Sequence, residues 1–175
     1  MRQLHFGCGD NILLPPWENF DREKDIREPL SFPIGSAGFI LAEHVIEHVD
    51  FQSGVRFLRE CVRILCIGGV LRIAFPDITR DIPLEDYRSG YSKFYNRQLN
   101  GPEDVWLSIV IDWEHQSCWT EEMATRVLLA VGFDRVITRE YARSPYPELE
   151  GIDGHHLSVG LALARAETTV LEAIR

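Results

Sequence analysis

No stretch of this sequence stays apolar for long enough to cross a bilayer. The longest uncharged run, residues 29–42, is interrupted by Pro33, Gly35 and Gly38. It falls short of the roughly 18 residues a spanning helix needs. The opening residues, MRQLHFGCGD, offer no apolar core for a secretory signal, and the expected location is the cytoplasm. Cysteine is sparse, and Cys8, Cys61, Cys66 and Cys118 form no C-x-x-C pair. That argues against a structural zinc site and for reduced thiols. Positive charge is short too: 18 Lys and Arg stand against 27 Asp and Glu, a net charge of −9. A phosphate-backbone partner is therefore not expected, nor is a membrane. Repeats and low-complexity tracts are also missing.

What remains is a globular composition, 45% hydrophobic and 26% charged over 175 residues. That length suits one domain with one core, spanning residues 1–175. Strands and helices alternate along it. Gln3–Phe6 reads as a strand entering the turn Gly7-Cys8-Gly9, and Trp17–Phe20 as a second short strand. The continuous apolar run Ala37–Ala42 predicts a strand buried on both faces. From Asp50 to Leu65, Val55, Leu58, Val62 and Leu65 form one helical face, with Gly68 at the position of a left-handed cap. Val70–Phe75 comes next as a strand.

The middle third is less regular. Residues 81–100 carry Tyr87, Tyr91, Phe94 and Tyr95, the pattern of an amphipathic helix or lid. Pro102–Ile111 predicts a short helix opened by proline. Thr120 suits an N-cap, with Gly132 as the stop. Phe133–Thr138 and Leu157–Ala164 are read as the last two strands, an antiparallel hairpin at the sheet edge. Residues 81–119 are read as an insertion covering the substrate. The pattern predicts an α/β sandwich around a mainly parallel sheet.

Polar chemistry gathers at strand ends, where open α/β sheets bind ligands, and in one cluster just before a helix. Gly7-x-Gly9 allows close backbone approach, but Ile12 occupies the third glycine position of a dinucleotide fingerprint and no P-loop lysine is present. Asp21 ends the second strand and suits either a ribose diol or a turn. Glu43-His44-Val45-Ile46-Glu47-His48 comes directly after the buried strand. His44 and His48 share a helical face and can chelate, but no third ligand is close in sequence and His155-His156 is distant. No metal is expected on that count. Pro76-Asp77 ends another strand, with Asp77 either facing the crevice or capping the next segment. His115 sits between Trp113 and Trp119, a pairing typical of packing or a lid.

Together LHFGCGD, AEHVIEHV, FLRECVRILCIGGVLRIAFPD and EHQSCWTEEMATRVLLAVGF resemble, in order and spacing, a class I S-adenosylmethionine-dependent methyltransferase. The sequence looks most like a small bacterial branch of that family. The resemblance implies a Rossmann-like sandwich and S-adenosylmethionine as cofactor. It also implies methyl transfer to a small-molecule or glycan-precursor acceptor. It assigns Gly7, Cys8 and Gly9 to the methionine and ribose, Asp21 to the ribose hydroxyls, and Asp25 and Ile26 to the adenine. Glu43 and His44 would close the pocket beside the methyl, and His48, Asp77 and His115 are the candidate bases.

The sequence departs from the family in three places. His5 stands where an acid is common, and Asn11 where a glycine is common. The chain is also pruned between the first and fourth family strands, leaving little room for the first helix and none for the second helix and third strand. Those departures keep a second reading in play, a non-catalytic binding or regulatory module on a degenerate methyltransferase fold. A metal-dependent hydrolase using His44 and His48 is the weakest alternative. A homodimer is compatible with any of these.

Overall fold

In the computed structural model, which describes residues 1–91 and 101–175, six strands form one sheet in the order β2-β1-β3-β4-β6-β5. The strands are β1 (Arg2–Phe6), β2 (Trp17–Phe20), β3 (Ala37–Glu43), β4 (Leu65–Pro76), β5 (Arg135–Arg139) and β6 (Thr168–Ile174). β1 to β4 run parallel, with β1 between β2 and β3. β6 alone is reversed, wedged between β4 and β5 and antiparallel to both. The antiparallel pair at the edge is present, but a long excursion through residues 140–167 joins its strands.

Alternation along the strands sorts the core into two layers. On one face Leu4, Phe6, Ile40, Ala42, Leu71, Ile73 and Phe75 pack under α1 (Phe51–Ile64) and α4 (Glu121–Val131). Phe6 stacks on Phe20 and meets Phe32 and Phe57 edge-on, tying the strand ends to α1. On the other face Ala74 and Val170 belong to a second cluster. It is closed by α2 (Leu84–Tyr91), α3 (Pro102–Ile111), α5 (His156–Val159) and α6 (Leu161–Glu167) through Tyr87, Tyr91, Val105, Ile109 and Leu163.

Capping residues set the helix limits. Asp50 accepts from the Ser53 N–H at 3.0 Å to open α1, and Thr120 accepts from Met123 N–H at 3.1 Å to open α4. Gly132, left-handed at φ 119°, ends α4 as expected.

Four expectations need correction. α1 stops at Ile64, and the left-handed Gly68 lies within β4 rather than at a helix cap. The face that α1 buries is Gly54, Phe57, Leu58, Cys61 and Ile64, with Val55 and Val62 only partly covered. The penultimate strand is shifted to Arg135–Arg139. Residues 157–164 are helical, not a strand. Alanine-rich LALARAE favours helix, whereas β-branched Thr168, Thr169 and Val170 open the true last strand. Phe94 and Tyr95 lie outside the described residues.

β2 comes after β1 with no helix between them, and β3 comes after β2 with neither helix nor strand between them. The shortening expected from the sequence is therefore a property of the fold. It leaves the carboxyl ends of β1, β2 and β3 facing a cleft roofed only by loops.

Candidate active site

The cleft lies at the carboxyl ends of β1, β2 and β3, the edge at which open parallel sheets bind ligands. It has a volume of about 610 Å³ and takes its walls from Gly7, most of residues 21–27, His44, Val45, His48 and Val49, and Glu114 and Gln116. That volume falls in the range of small-molecule and cofactor sites.

Gly7 leaves β1 with φ 68°, and a Cβ built there would collide with Cγ2 of Val45. Only glycine fits, and its backbone is left bare toward the cleft. Gly9 is also left-handed, at φ 46°, but is exposed in open space. Cys8 is buried between them, its N–H bonded to Phe20 O at 3.1 Å. Burial, reinforced by Asp21, pushes its thiol up. Cys8 is thus a packing residue of the turn, not a wall of the cleft.

Asp21 ends β2 on the cleft, exposed, and its carboxylate makes no hydrogen bond or ion pair among the described residues. Asp25 is engaged: Arg27 grips it through contacts of 2.6, 2.9 and 3.0 Å. Those hydrogen bonds hold its carboxyl below the usual range. Ile26, buried, gives this end of the cleft an apolar floor. His5 lies buried in the sheet with Nδ1 3.1 Å from Asn19 Oδ1, and burial lowers its pKa.

Two predicted residues are turned away. Glu43 lies with Phe39 and Leu41 on the face opposite Ala42, where its oxygens accept from Tyr141 Oη, Gly154 N–H and His155 N–H at 3.1, 2.6 and 3.1 Å. Asp77 is buried and spends both oxygens on the fold. One accepts from Thr79 N–H and Oγ1 at 2.9 and 2.6 Å. The other takes Glu121 N–H at 2.7 Å and Thr169 Oγ1 at 3.0 Å. Asp77 therefore closes the first turn of α4 and cannot reach an acceptor. Burial opposes its ionisation, but these hydrogen bonds outweigh that and hold it below the usual range.

The histidines converge as no sequence spacing suggests. His44 adopts φ 51°, a strained value for a non-glycine residue, and stacks on His155 at 3.7 Å. Its Nδ1 lies 3.2 Å from Glu47 Oε1 and its Nε2 3.1 Å from Thr168 Oγ1. His155 Nε2 is 2.6 Å from Glu167 Oε1. His48, exposed on the cleft, meets His115 edge-to-face at 4.7 Å. Burial lowers His155, helped by His44, and takes His115 down to about 4. Burial also works against the charge on His44, but Glu47 beside it outweighs that and raises it. Sequence reasoning gave Glu47 no role, set His155 aside as distant in sequence and missed Glu167, because residues as far apart as His44, His155 and Glu167 share no spacing signal.

Comparison with known proteins gives two agreeing results. Residues 18–73 match the model of a methyltransferase domain family. A solved S-adenosylmethionine-dependent methyltransferase from Archaeoglobus fulgidus superposes with a TM-score of 0.60 at 15% identity, covering 99% of this chain and 86% of that one. One from Mesorhizobium loti gives 0.56 at 16%, covering 99% and 90%. One from Thermotoga maritima gives 0.56 at 17%, covering 99% and 81%. The chain has the class I methyltransferase fold. No curated protein matches it.

Methyltransferases of this fold use S-adenosylmethionine, and the family match over β2 to β4 supports the same cofactor here. The residues present fit it. Gly7 provides a cradle that any Cβ would fill, Asp21 presents an uncommitted carboxylate, and Ile26 lines an apolar end.

Proposed function

We propose that this chain transfers a methyl group from S-adenosylmethionine to a small-molecule or glycan-precursor acceptor. The observation that carries the reading is the cleft itself. It places bare glycine backbone at one strand end, an unengaged acid at the next, and imidazoles at the far wall. Bound there, the cofactor would supply an electrophilic methyl on a sulfonium. Gly7 would border its methionine part, Asp21 would accept from the ribose hydroxyls, and Ile26 and Asp25 would flank the adenine. The chain's main task is alignment and exclusion of water, since the reacting carbon arrives activated.

The acceptor would enter beside His44 and His48, under the segment after α3, which brings Glu114 and Gln116 to the cleft. That supports residues 81–119 as a cover. His48, exposed and on the cleft, is the group placed to take an acceptor proton, with His115 behind it. The small cleft and the net charge of −9 support a compact acceptor over a nucleic acid.

One observation favours the non-catalytic reading. Buried His5 and the loops that replace the first helix leave the methionine amine without a carboxylate partner. A binding module would keep the cofactor pocket but turn nothing over. Release of S-adenosylhomocysteine, monitored with pools of small hydroxyl and amine acceptors and of glycan precursors, separates the two. Acceptor-dependent release from one small-molecule class supports the enzyme. Cofactor binding with no release from any pool supports the module.

A further inference from the structure

Glu47 is the least explained residue of the molecule. It is buried to 1% exposure, yet neither carboxylate oxygen accepts a hydrogen bond among the described residues. A buried carboxylate left in that state costs several kcal/mol unless something charged meets it. His44 Nδ1 approaches one oxygen at 3.2 Å, but as an ion-pair contact without hydrogen-bond alignment. Two further imidazoles face the same carboxylate from different elements. His48 comes from the turn after β3, and His115 from the segment after α3. Glu47, His48 and His115 each bring one donor atom to a common point, all within 4.8 Å of one another.

We propose that Glu47, His48 and His115 bind a divalent transition-metal ion at the acceptor end of the cleft. Two nitrogens and one carboxylate oxygen are the donor set of an open zinc site, and the set also suits iron, cobalt or manganese. Zinc bonds of about 2.0–2.1 Å hold tetrahedral donors roughly 3.4 Å apart. The three side chains therefore need to close by up to about 1.4 Å, to which rotation of exposed His48 contributes. With three protein ligands, a position stays open, and His48 places it on the cleft wall. An oxygen donor of the acceptor, such as a hydroxyl or a carboxylate, is the chemistry that position takes. The ion would hold that oxygen in line with the cofactor and ease loss of its proton, and His48, spent as a ligand, would then not be the base. This role rests on the methyltransferase reading; the binding of the ion does not. His44 is a positioning residue, holding Glu47 through its Nδ1 contact.

The neighbouring group His44, His155 and Glu167 has comparable donor spacing. There Glu167 already accepts from Tyr91 at 3.2 Å and pairs with His155 at 2.6 Å. Each Glu167 oxygen is thus hydrogen-bonded, whereas neither oxygen of Glu47 is, which is why the proposal falls on Glu47.

The test is a calorimetric titration of chelator-treated protein with Zn²⁺, repeated with Co²⁺ and read by visible absorption. One ion per chain is expected, with a tetrahedral or five-coordinate cobalt spectrum. His48→Ala and His115→Ala should each weaken binding by about 100-fold or more, beyond what loss of a supporting residue costs. His155→Ala should leave it within a few-fold. Thermal melts of each variant without metal show that it is folded. Absence of stoichiometric binding, binding unchanged in both His48→Ala and His115→Ala, or binding lost chiefly in His155→Ala would each overturn the proposal. A parallel titration with S-adenosylmethionine in the absence of metal reports on the methyltransferase reading alone, so the two can fail separately.

Discussion

Asp21 and Asp77 carry the same carboxylate to ends of the same sheet, and their surroundings give them opposite tasks. Asp21 has no partner among the described residues and faces the cleft. Asp21→Ala should weaken S-adenosylmethionine binding about 10- to 100-fold, the worth of charge-assisted hydrogen bonds to two hydroxyls, with melting temperature unchanged. Asp77 has every lone pair committed to Thr79, Thr169 and the α4 N-terminus. Asp77→Ala should cost roughly 1–3 kcal/mol of stability in a denaturant melt, with little direct effect on cofactor affinity. Its depressed folded-state pKa makes this contribution pH-dependent. It is fully present above the unfolded value near 3.9, and is lost as pH falls through the lower folded value. The mutant should therefore lose less stability between about pH 4 and the acid limit than the parent does. In the sequence the two acids look alike, since both sit just past a strand. Only the tertiary partners distinguish them, and those come from residues far along the chain.

At the scale of elements, legibility tracked the length and purity of the pattern. Trp17–Phe20 and Pro102–Ile111 appear with their expected bounds, and the helix after Thr120 with its expected Thr120 and Gly132 caps, because each signal is local. Residues 157–164 misled because leucine, valine and alanine suit helix and buried strand alike. The strained Gly160, at φ 89°, splits them into two short helices. Glu43 misled for a register reason: its alternate position on β3 points it at the loop before α5, away from the cofactor cleft. The glycine turn after β1 offers a test of how tightly the elements interlock. Gly7→Ala meets both a positive φ and the Val45 side chain, and should cost about 1–3 kcal/mol and abolish cofactor binding, as read by thermal shift with and without ligand.

Over the whole molecule, a buried polar framework ties the central and edge strands of the sheet together. Arg72 of β4, fully buried, bonds Asp153 through Nε at 2.9 Å and Glu172 of β6 through Nη1 at 3.0 Å, and Arg139 of β5 closes on Glu172 at 2.6 Å. The network joins three strands to the 141–155 segment, which in turn carries His155 and braces Glu43. Arg72→Met should destabilise the chain by about 3–5 kcal/mol, because two buried carboxylates lose their central cation, and it should lower the melting temperature without ligand. The shortened stretch between β1 and β3 lies on the other side of the molecule and puts no strain on this framework. The length of the chain thus bears on the cofactor cleft, while the sheet's stability rests elsewhere.

The proposed methyl transfer requires the cleft to bind S-adenosylmethionine despite the shortened stretch between β1 and β3 and the buried His5. The most direct measurement is isothermal calorimetry of the protein with S-adenosylmethionine and with S-adenosylhomocysteine, run beside Asp21→Ala and Asp77→Ala. The prediction is one site per chain for both ligands, weakened by Asp21→Ala and left nearly intact by Asp77→Ala. No binding of either ligand at millimolar concentration, or equal loss in the two variants, would contradict it.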